Sequence, residues 1–472
     1  MNNNMDINII KKGVAHRCSF CFFVGLLLLD LYGCQDNTSN LFPDEGEFSS
    51  QNYTRSIDDA LSDLSDFLRL TSSGETRAEV SFRPEQLLVV TRSKTGRTRS
   101  AVLNDSLLYL VNFEDSTGFA ILSADTRVPE TVLAVTDEGN ISIEDFELSQ
   151  ELDSLDFSLY NEEDSDYYVG SAPKENSLMA SFIIDYADEH INGSGGSTGN
   201  SNSGNSGNSN SSSNTWLVYK SVPPMLTTAW YQREPFNDSV RTILGGKTKA
   251  GCVAVAVGQI MAYHEFPTDL SQYIDDPTIS WSDIKTVFPS YNITYGGTAN
   301  GKKQAAELMK EIGQKCRMLY TSDFGFATPA AARDCLLLFG YPWTVKWDWY
   351  YESKIISMLD KGNPVFIAAL EHVPAGDWLH GTWTKWEGGH AWVIDGYIQY
   401  RRYVSGTAED CYYVHCNWGW RGRNNGYFLS GMFDTLNAAS YDYSNNNTYN
   451  SMSSFFSWWF RVLSYKNPKT GL

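Results

Sequence analysis

A run of small polar residues divides the chain into two predicted domains. Residues 192–214 are almost wholly Gly, Ser, Asn and Thr. Such a segment has no apolar surface to bury, so it behaves as a flexible tether. Its exposed backbone is also open to a protease. We therefore predict one domain over 51–190, a linker over 191–214 and a second domain over 215–472.

The N-terminus has the pattern of an export signal. A basic stretch, residues 11–17, precedes an apolar run over 18–29, which is too short to span a membrane comfortably. The run ends in Leu-Tyr-Gly-Cys, which resembles a bacterial lipoprotein cleavage box with Cys34 as the lipidated residue. We predict a signal peptide over 1–33, a tether over 34–50, and an exported, lipid-anchored protein of the bacterial envelope or surface. A plain secretory signal is the alternative.

Charge and cysteine content narrow the possible partners. The formal net charge is −20, so the chain would repel a polyanion and we expect no nucleic-acid partner. Outside the signal no Cys-x-x-Cys pair occurs, and we expect no metal and no cofactor. Besides Cys34, the predicted lipidation site, five cysteines follow the signal, and because that number is odd at least one thiol stays unpaired. They are Cys252, Cys316, Cys335, Cys411 and Cys416.

The domain before the linker is predicted to be a small α+β unit. Apolar residues at helical spacing predict a helix over 56–70. Runs rich in β-branched and aromatic residues predict four strands, over 87–91, 107–113, 119–123 and 132–135. An acidic segment that runs to about His190 is predicted to be helical.

The second domain carries a cysteine at the start of a long apolar helix. Apolar residues recur at helical spacing from Val253 to Met261, and Pro267 ends the pattern. Cys252 therefore lies at the helix N-terminus, where the positive end of the helix dipole favours a thiolate. His264 lies roughly 18 Å further along the helix axis, which excludes it as a direct partner of the thiol.

A histidine from another element must supply the base, and His390 has the best setting. A glycine pair ends at Gly389, and glycines let a substrate backbone approach closely. Two strands around a connection centred near Val404 would place His390 opposite Asn417, whose amide would orient the imidazole. Trp418 would shield this contact from water. A generic hairpin with a polar end, and a core tryptophan in a glycine turn, are the alternatives.

Together these segments resemble the streptopain family of papain-like cysteine peptidases. The matching motifs are Gly-Cys-Val-Ala, Gly-Gly-His-Ala-Trp, and Asn-Trp-Gly-Trp followed by Gly-Tyr-Phe, within residues 216–465. The spacing of 138 residues from Cys252 to His390 agrees with the order of papain-type enzymes. Residues 110–113 and 118–125 resemble the family's inhibitory propeptide.

The resemblance implies a fold and a set of roles. The fold is α+β: a papain-like catalytic domain, with a helical part carrying the nucleophile and an antiparallel sheet carrying the histidine, after a small α+β propeptide domain. Cys252 is the implied nucleophile, His390 the general base and later acid, and Gln232 the oxyanion-hole donor. Asn417 and Trp418 orient and cover the imidazole.

Two positions are candidates for substrate contact. The resemblance implies that Gly389 contacts the substrate main chain. The loop over 320–328 is a candidate lining of the specificity pocket, with Thr328 as its contact residue. A plain interhelical loop is the alternative for this segment.

The implied activity is that of an exported cysteine endopeptidase made as a zymogen. Protein or peptide substrates would be cleaved through a thioester on Cys252, with the chain's own propeptide as inhibitor until cleavage in or near 192–214. Two alternatives stay open. One is amidase or transglutaminase chemistry, because a Cys–His pair alone does not fix the acyl acceptor. The other is an inert, aromatic-rich surface-binding protein.

Overall fold

The computed structural model describes ten stretches of the chain. They are residues 53–72, 83–91, 106–147, 172–193, 215–243, 246–289, 295–320, 325–375, 383–434 and 458–472. The predicted signal peptide, Cys34, the tether and nearly all of the linker lie outside the described residues. No helix of the described stretches is both long and apolar enough to cross a membrane.

The strands of these stretches are numbered in chain order. They are β1 (Pro84–Thr91), β2 (Ser106–Phe113), β3 (Phe119–Ser123), β4 (Val132–Thr136), β5 (Leu217–Val222), β6 (Thr242–Ile243), β7 (Gly246–Lys247), β8 (Phe288–Pro289), β9 (Tyr295–Gly296), β10 (Leu319–Tyr320), β11 (Gly325–Phe326), β12 (Lys346–Trp349), β13 (Val365–Ala375), β14 (Trp383–Val404), β15 (Thr407–Asn417), β16 (Gly426–Leu429) and β17 (Trp458–Ser464). The four strands predicted before the linker are confirmed as β1 to β4.

The helices are numbered in the same way. They are α1 (Ile57–Ser72), α2 (Ile143–Glu147), α3 (Ala172–Gly193), α4 (Cys252–His264), α5 (Trp281–Ile284), α6 (Ala299–Lys315), α7 (Pro329–Leu338) and α8 (Glu352–Leu359). Short 3₁₀ turns cover Glu114–Ser116, Leu270–Gln272 and Ser430–Phe433. The predicted helix over 56–70 is confirmed as α1. Helix α3 confirms a helix near His190 but continues to Gly193, so it includes the first three residues of the predicted linker.

One antiparallel sheet runs through both predicted domains. Its strand order is β1-β2-β3-β4-β16-β15-β14-β13-β17-β12, and β5 pairs with the far end of β14. Strands β2, β3 and β4 are buried along almost their whole length, which explains their continuous apolar sequences. Helix α4 packs against β13 and β14. The α+β class is therefore confirmed, with Cys252 on the helical side and His390 on the sheet.

The junction of the two predicted domains is the pairing of β4 with β16. Val135 lies opposite Tyr427, and the two neighbouring pairs continue the ladder. The main-chain N–H of Asp137 extends it by donating to the carbonyl of Asn425 at 2.9 Å. The predicted propeptide thus supplies the strands that cover this edge of the peptidase sheet, which satisfies backbone groups that would otherwise face water.

The hairpin formed by β14 and β15 has a different register from the predicted one. Asn417 pairs with Val393, so the predicted position opposite His390 was wrong by three residues. The predicted long connection is instead the two-residue turn Ser405–Gly406, in which both φ angles are positive, 50° and 83°. Two positive φ angles in a two-residue loop match the twist of the flanking strands, so both strands continue to the turn.

Candidate active site

The nucleophile candidate lies at the first residue of α4, as predicted. Gly251 precedes it with φ 91° and ψ 140°, a conformation that favours glycine. A Cβ atom on Gly251 would lie 2.9 Å from the carbonyl oxygen of Gly325 and 2.1 Å from the methyl carbon of Met318. Only glycine therefore lets the chain pass this point and turn into the helix at Cys252.

The thiol of Cys252 is half-buried and lies against the strand that carries His390. Burial raises the pKa of the thiol above its ordinary value, although backbone N–H groups of Ala391 and Val253 and the charge of Lys249 oppose the shift. The helix N-terminus was expected to favour a thiolate. Desolvation outweighs that effect here, so the thiol is neutral at neutral pH in this form of the chain.

The imidazole of His390 is buried and held by a main-chain group. Its Nε2 lies 2.9 Å from the carbonyl oxygen of Trp418. Because a carbonyl can only accept, Nε2 carries the proton and Nδ1 is the unprotonated nitrogen of the neutral ring. Burial lowers the pKa of His390 to about 4; the bond to Trp418 opposes this shift and the charge of Lys249 adds to it. The base candidate is therefore also neutral.

Aromatic rings enclose the imidazole. The ring of Trp420 stacks on His390 at 4.9 Å between centroids, and the indole of Trp418 lies at 6.2 Å. Phe182 of α3 stacks on Trp418 at 6.3 Å and on Trp392 at 5.9 Å. A helix from before the linker thus covers the back of this aromatic cluster, where it helps to exclude water from the histidine.

Asn417 is buried, but its amide does not contact the imidazole. Its Oδ1 accepts from Nε2 of Gln259 at 3.2 Å and from the backbone N–H of Gly419 at 3.3 Å. Its Nδ2 donates to the carbonyl of Thr228 at 2.8 Å. The register of the hairpin explains why the predicted direct bond is absent. Asn417 pairs with Val393, three residues after His390, and so does not lie opposite the imidazole.

The main chain fixes the segments that carry Gln232 and Gly389. The carbonyl of Gln232 accepts from the N–H of Ala250 at 2.7 Å, which brings this segment to within two residues of Cys252 along the chain. Gly389 is exposed and lies opposite Leu370 on β13, directly before the histidine.

Thr328 is exposed and serves the helix that follows it. Its Oγ1 accepts from the N–H of Ala331 at 3.2 Å and caps α7, a common role for threonine at a helix start. The same segment begins at Gly325, whose carbonyl touches Gly251. Thr328 also lines a cavity of about 270 Å³ with Cys316.

A buried histidine that sequence patterns did not indicate lies near carboxylates from both predicted domains. Nδ1 of His415 lies 2.6 Å from Oδ1 of Asp395, and Nε2 lies 3.7 Å from Oδ2 of Asp137, beside β4. Burial alone would lower the pKa of His415, but the two carboxylates raise it to about 9. The pairing of β4 with β16 is a long-range contact, so no local sequence signal could have brought Asp137 to this histidine.

The described residues give no sign of further reactive chemistry around the pair. All five cysteines after the signal are free thiols in the structure. No group of three or more His, Cys, Asp or Glu side chains in the described stretches is arranged to hold a metal ion.

Comparison with known proteins gives one consistent family. Residues 230–428 match the Peptidase C10 family. The chain is 25% identical over 369 residues to streptopain of Streptococcus pyogenes, which covers 72% of this chain and 76% of that protein. It is 28% identical over 246 residues to the thiol protease/hemagglutinin PrtT of Porphyromonas gingivalis, which covers 45% of this chain and 25% of that protein.

Among solved structures, a fragment of prointerpain A from Prevotella intermedia matches with a TM-score of 0.46 at 18% identity. The match covers 80% of this chain and 98% of that chain. The family match spans Trp230 to Phe428 and so includes both Cys252 at the start of α4 and His390 on β14. The chain is therefore a cysteine peptidase with a Peptidase C10 region at residues 230–428, and it is similar to the papain-like peptidases of the streptopain family.

Proposed function

We propose that this chain is the latent precursor of an exported cysteine endopeptidase. The observation that carries the proposal is the meeting of α4 and β14. The thiol of Cys252 accepts the backbone N–H of Ala391, and the preceding residue, His390, has its Nδ1 free of a proton. A thiol held at the backbone of the residue that follows a neutral histidine brings together the two groups that acyl transfer to sulfur requires.

The proposed reaction has two stages, acylation of Cys252 and hydrolysis of the resulting thioester, and His390 moves a proton in each stage. Nδ1 of His390 takes the proton from the thiol, and the sulfur of Cys252 attacks the carbonyl carbon of the scissile peptide. The imidazolium then donates that proton to the departing amine as the C–N bond breaks, which leaves a thioester on Cys252. A water molecule, deprotonated by the same Nδ1, attacks the thioester and releases the acid and the free thiol.

The developing oxyanion needs donors near the start of α4. The backbone N–H of Cys252 is one, since the first N–H groups of a helix have no partner within it. The side chain of Gln232 is the proposed second donor, supported by the bond that ties its carbonyl to Ala250. Gly389 is proposed to contact the substrate main chain, and Thr328 to line the pocket for a substrate side chain.

Latency is proposed to reside in the part of the chain before the linker. Strand β4 pairs with the peptidase strand β16, and Phe182 of α3 stacks on the tryptophans around His390. Burial keeps both the thiol and the imidazole neutral in this form. Cleavage within 191–214, followed by loss of the N-terminal part, would admit water and substrate to both groups.

The linker offers a direct test of the proposed function. We expect that a chain carrying a site for a sequence-specific protease in place of residues 200–206 gains at least tenfold in casein hydrolysis once it is cut and its N-terminal part removed. The assay is run under reducing conditions. A chain with the same residues in scrambled order, treated identically, is the control. Acyl transfer to added amines without hydrolysis would contradict the endopeptidase proposal and favour a transglutaminase.

The export signal supports a lipid anchor at Cys34. The apolar run over 18–29 and the Leu-Tyr-Gly-Cys box are the features that support it. In a bacterial host, labelled palmitate should be incorporated into the chain, and the Cys34→Ser variant should lose the label and appear in the soluble fraction. Equal labelling of Cys34→Ser and the parent chain would refute the proposed anchor.

A further inference from the structure

A single polar side chain interrupts the apolar helix that carries the nucleophile. Gln259 lies seven residues after Cys252, which is two helical turns, and it is completely buried. Its Oε1 accepts from Oγ1 of Thr228 at 3.1 Å and from the N–H of Trp230 at 3.2 Å. Its Nε2 donates to Oδ1 of Asn417 at 3.2 Å. Through these bonds the buried amide of Gln259 joins α4 to the segment from Thr228 to Trp230 and to Asn417.

Main-chain groups fix which way both amides point. The N–H of Trp230 can only donate, so the oxygen of the Gln259 amide must face it. The NH₂ group of Gln259 then faces Asn417, which must present its oxygen. At the other end the carbonyl of Thr228 can only accept, so the NH₂ group of Asn417 faces that carbonyl. The orientation of Asn417 is thus set by its partners at both ends.

The peptide unit between Trp418 and Gly419 carries this orientation to the imidazole. Its N–H, from Gly419, donates to Oδ1 of Asn417 at 3.3 Å, and its carbonyl accepts from Nε2 of His390 at 2.9 Å. Gly419 has φ 72°, and a Cβ there would lie 3.1 Å from a methyl group of Val255 on α4. Glycine therefore lets this peptide lie against the nucleophile helix with its two ends facing the amide and the histidine.

We propose that Gln259 is a positioning residue for His390. It acts through Asn417 and the Trp418–Gly419 peptide, and it keeps the proton of the neutral ring on Nε2 and Nδ1 free for Cys252. Each hydrogen bond in this chain polarises the next, so loss of the first donor weakens the last bond. This inference rests on the proposed function, because it assigns Gln259 to the reaction of Cys252 and His390.

Two substitutions separate positioning from packing. Gln259→Met fills a similar volume and removes every hydrogen bond of the side chain. Gln259→Glu keeps an acceptor for Trp230 but, when ionised, places a second oxygen against Asn417. Gln304→Met is the matched control. Gln304 is also fully buried on a helix, and it also bonds to two backbone groups, the N–H of Ser280 at 3.1 Å and the carbonyl of Thr278 at 3.0 Å.

The first measurement is of kcat and KM for each variant, prepared as the full-length chain and then cut in the linker. We expect Gln259→Met to lower kcat by about tenfold with KM unchanged, the size of one neutral hydrogen bond lost in the transition state. Gln259→Glu should show the same loss at pH 8 and recover at lower pH, because the protonated carboxyl can again donate to Asn417. Gln304→Met should keep kcat. Equal losses in Gln259→Met and Gln304→Met would overturn the proposal.

A second readout does not depend on activity. In the uncut chain with Cys252→Ala, ¹⁵N-labelled histidine reports which ring nitrogen of His390 is protonated, with His390→Asn for assignment. We expect the proton on Nε2 in this parent and in Gln304→Met, and a mixture of tautomers in Gln259→Met. An unchanged tautomer in Gln259→Met would overturn the positioning role even if Cys252 proves to be the nucleophile. Residual peptidase activity in Cys252→Ala would instead refute the proposed function.

Discussion

Replacing Cys252 by alanine is expected to abolish peptide hydrolysis, with a fall in kcat of at least about 10⁴-fold. A thioester requires a thiol, and Cys252 supplies it at the start of α4. Its neighbours in the chain, Gly251 and Val253, carry no hydroxyl that could act as a nucleophile in its place. The assay is hydrolysis of casein or a peptide dye under reducing conditions, after cutting in the linker and removal of the N-terminal part. Activity that survives Cys252→Ala would refute the mechanism.

Two further variants make this result specific. Cys335→Ala removes another buried thiol, whose Sγ donates to the carbonyl of Ile312 at 3.7 Å, in α6; kcat should stay within about twofold of the parent because this thiol has no role in acyl transfer. His390→Ala should lose nearly as much activity as Cys252→Ala. The double variant should lose little more, since nucleophile and base act as one unit.

The helix start and the strands before the linker could be predicted because their signals are local. The apolar periodicity after Cys252 and the glycine before it are sufficient to place the thiol at the first residue of α4. Strands β2 to β4 are continuous apolar runs separated by turn residues. In each case neighbouring residues of one segment contain the information, and long-range packing only reinforces it.

The register of the histidine hairpin could not be predicted from the same kind of signal. Tyr-rich sequence continues on both sides of Ser405–Gly406, and nothing in composition shows that both strands extend to a two-residue turn. A β-bulge after Ile394 shifts the pairing by one more residue. Since side chains alternate between faces, such shifts decide what an amide can touch. Asn417 therefore reaches the main chain beside His390 rather than the ring.

Gln259 carries a sequence signal for buried hydrogen-bond partners. It is the only polar residue between Val253 and Ala262, and a fully buried polar side chain requires partners. Sequence alone could predict that such partners exist but could not identify them, because Thr228 and Asn417 reach the amide through tertiary packing. The same holds for the contact of Asp137 with His415, which depends on pairing between strands almost 300 residues apart.

Because the thiol is neutral in the uncut chain, iodoacetamide should alkylate Cys252 slowly before the peptidase is released and much faster afterwards. In the uncut chain burial raises the pKa of this thiol above its ordinary value. An ordinary thiol is about 0.3% thiolate at pH 6, so the buried thiol carries still less of the reactive form. In the released peptidase, pairing with the imidazolium of His390 lowers a thiol's pKa to roughly 3.5–7.5. Release should therefore increase the alkylation rate at pH 6 by about 10²- to 10³-fold.

The pH profile distinguishes this cause from simple exposure of the thiol. In the uncut chain the rate should rise only as the pH passes the raised pKa, because protonation of the thiol is favoured below it. In the released chain the rate should already be high near pH 6, and His390→Ala should return it to the profile of an unpaired thiol. Mass spectrometry of the peptide that contains Cys252 separates this reaction from alkylation of Cys411. If release gave the same increase in His390→Ala as in the parent, exposure alone would explain the result and the ion pair would be refuted.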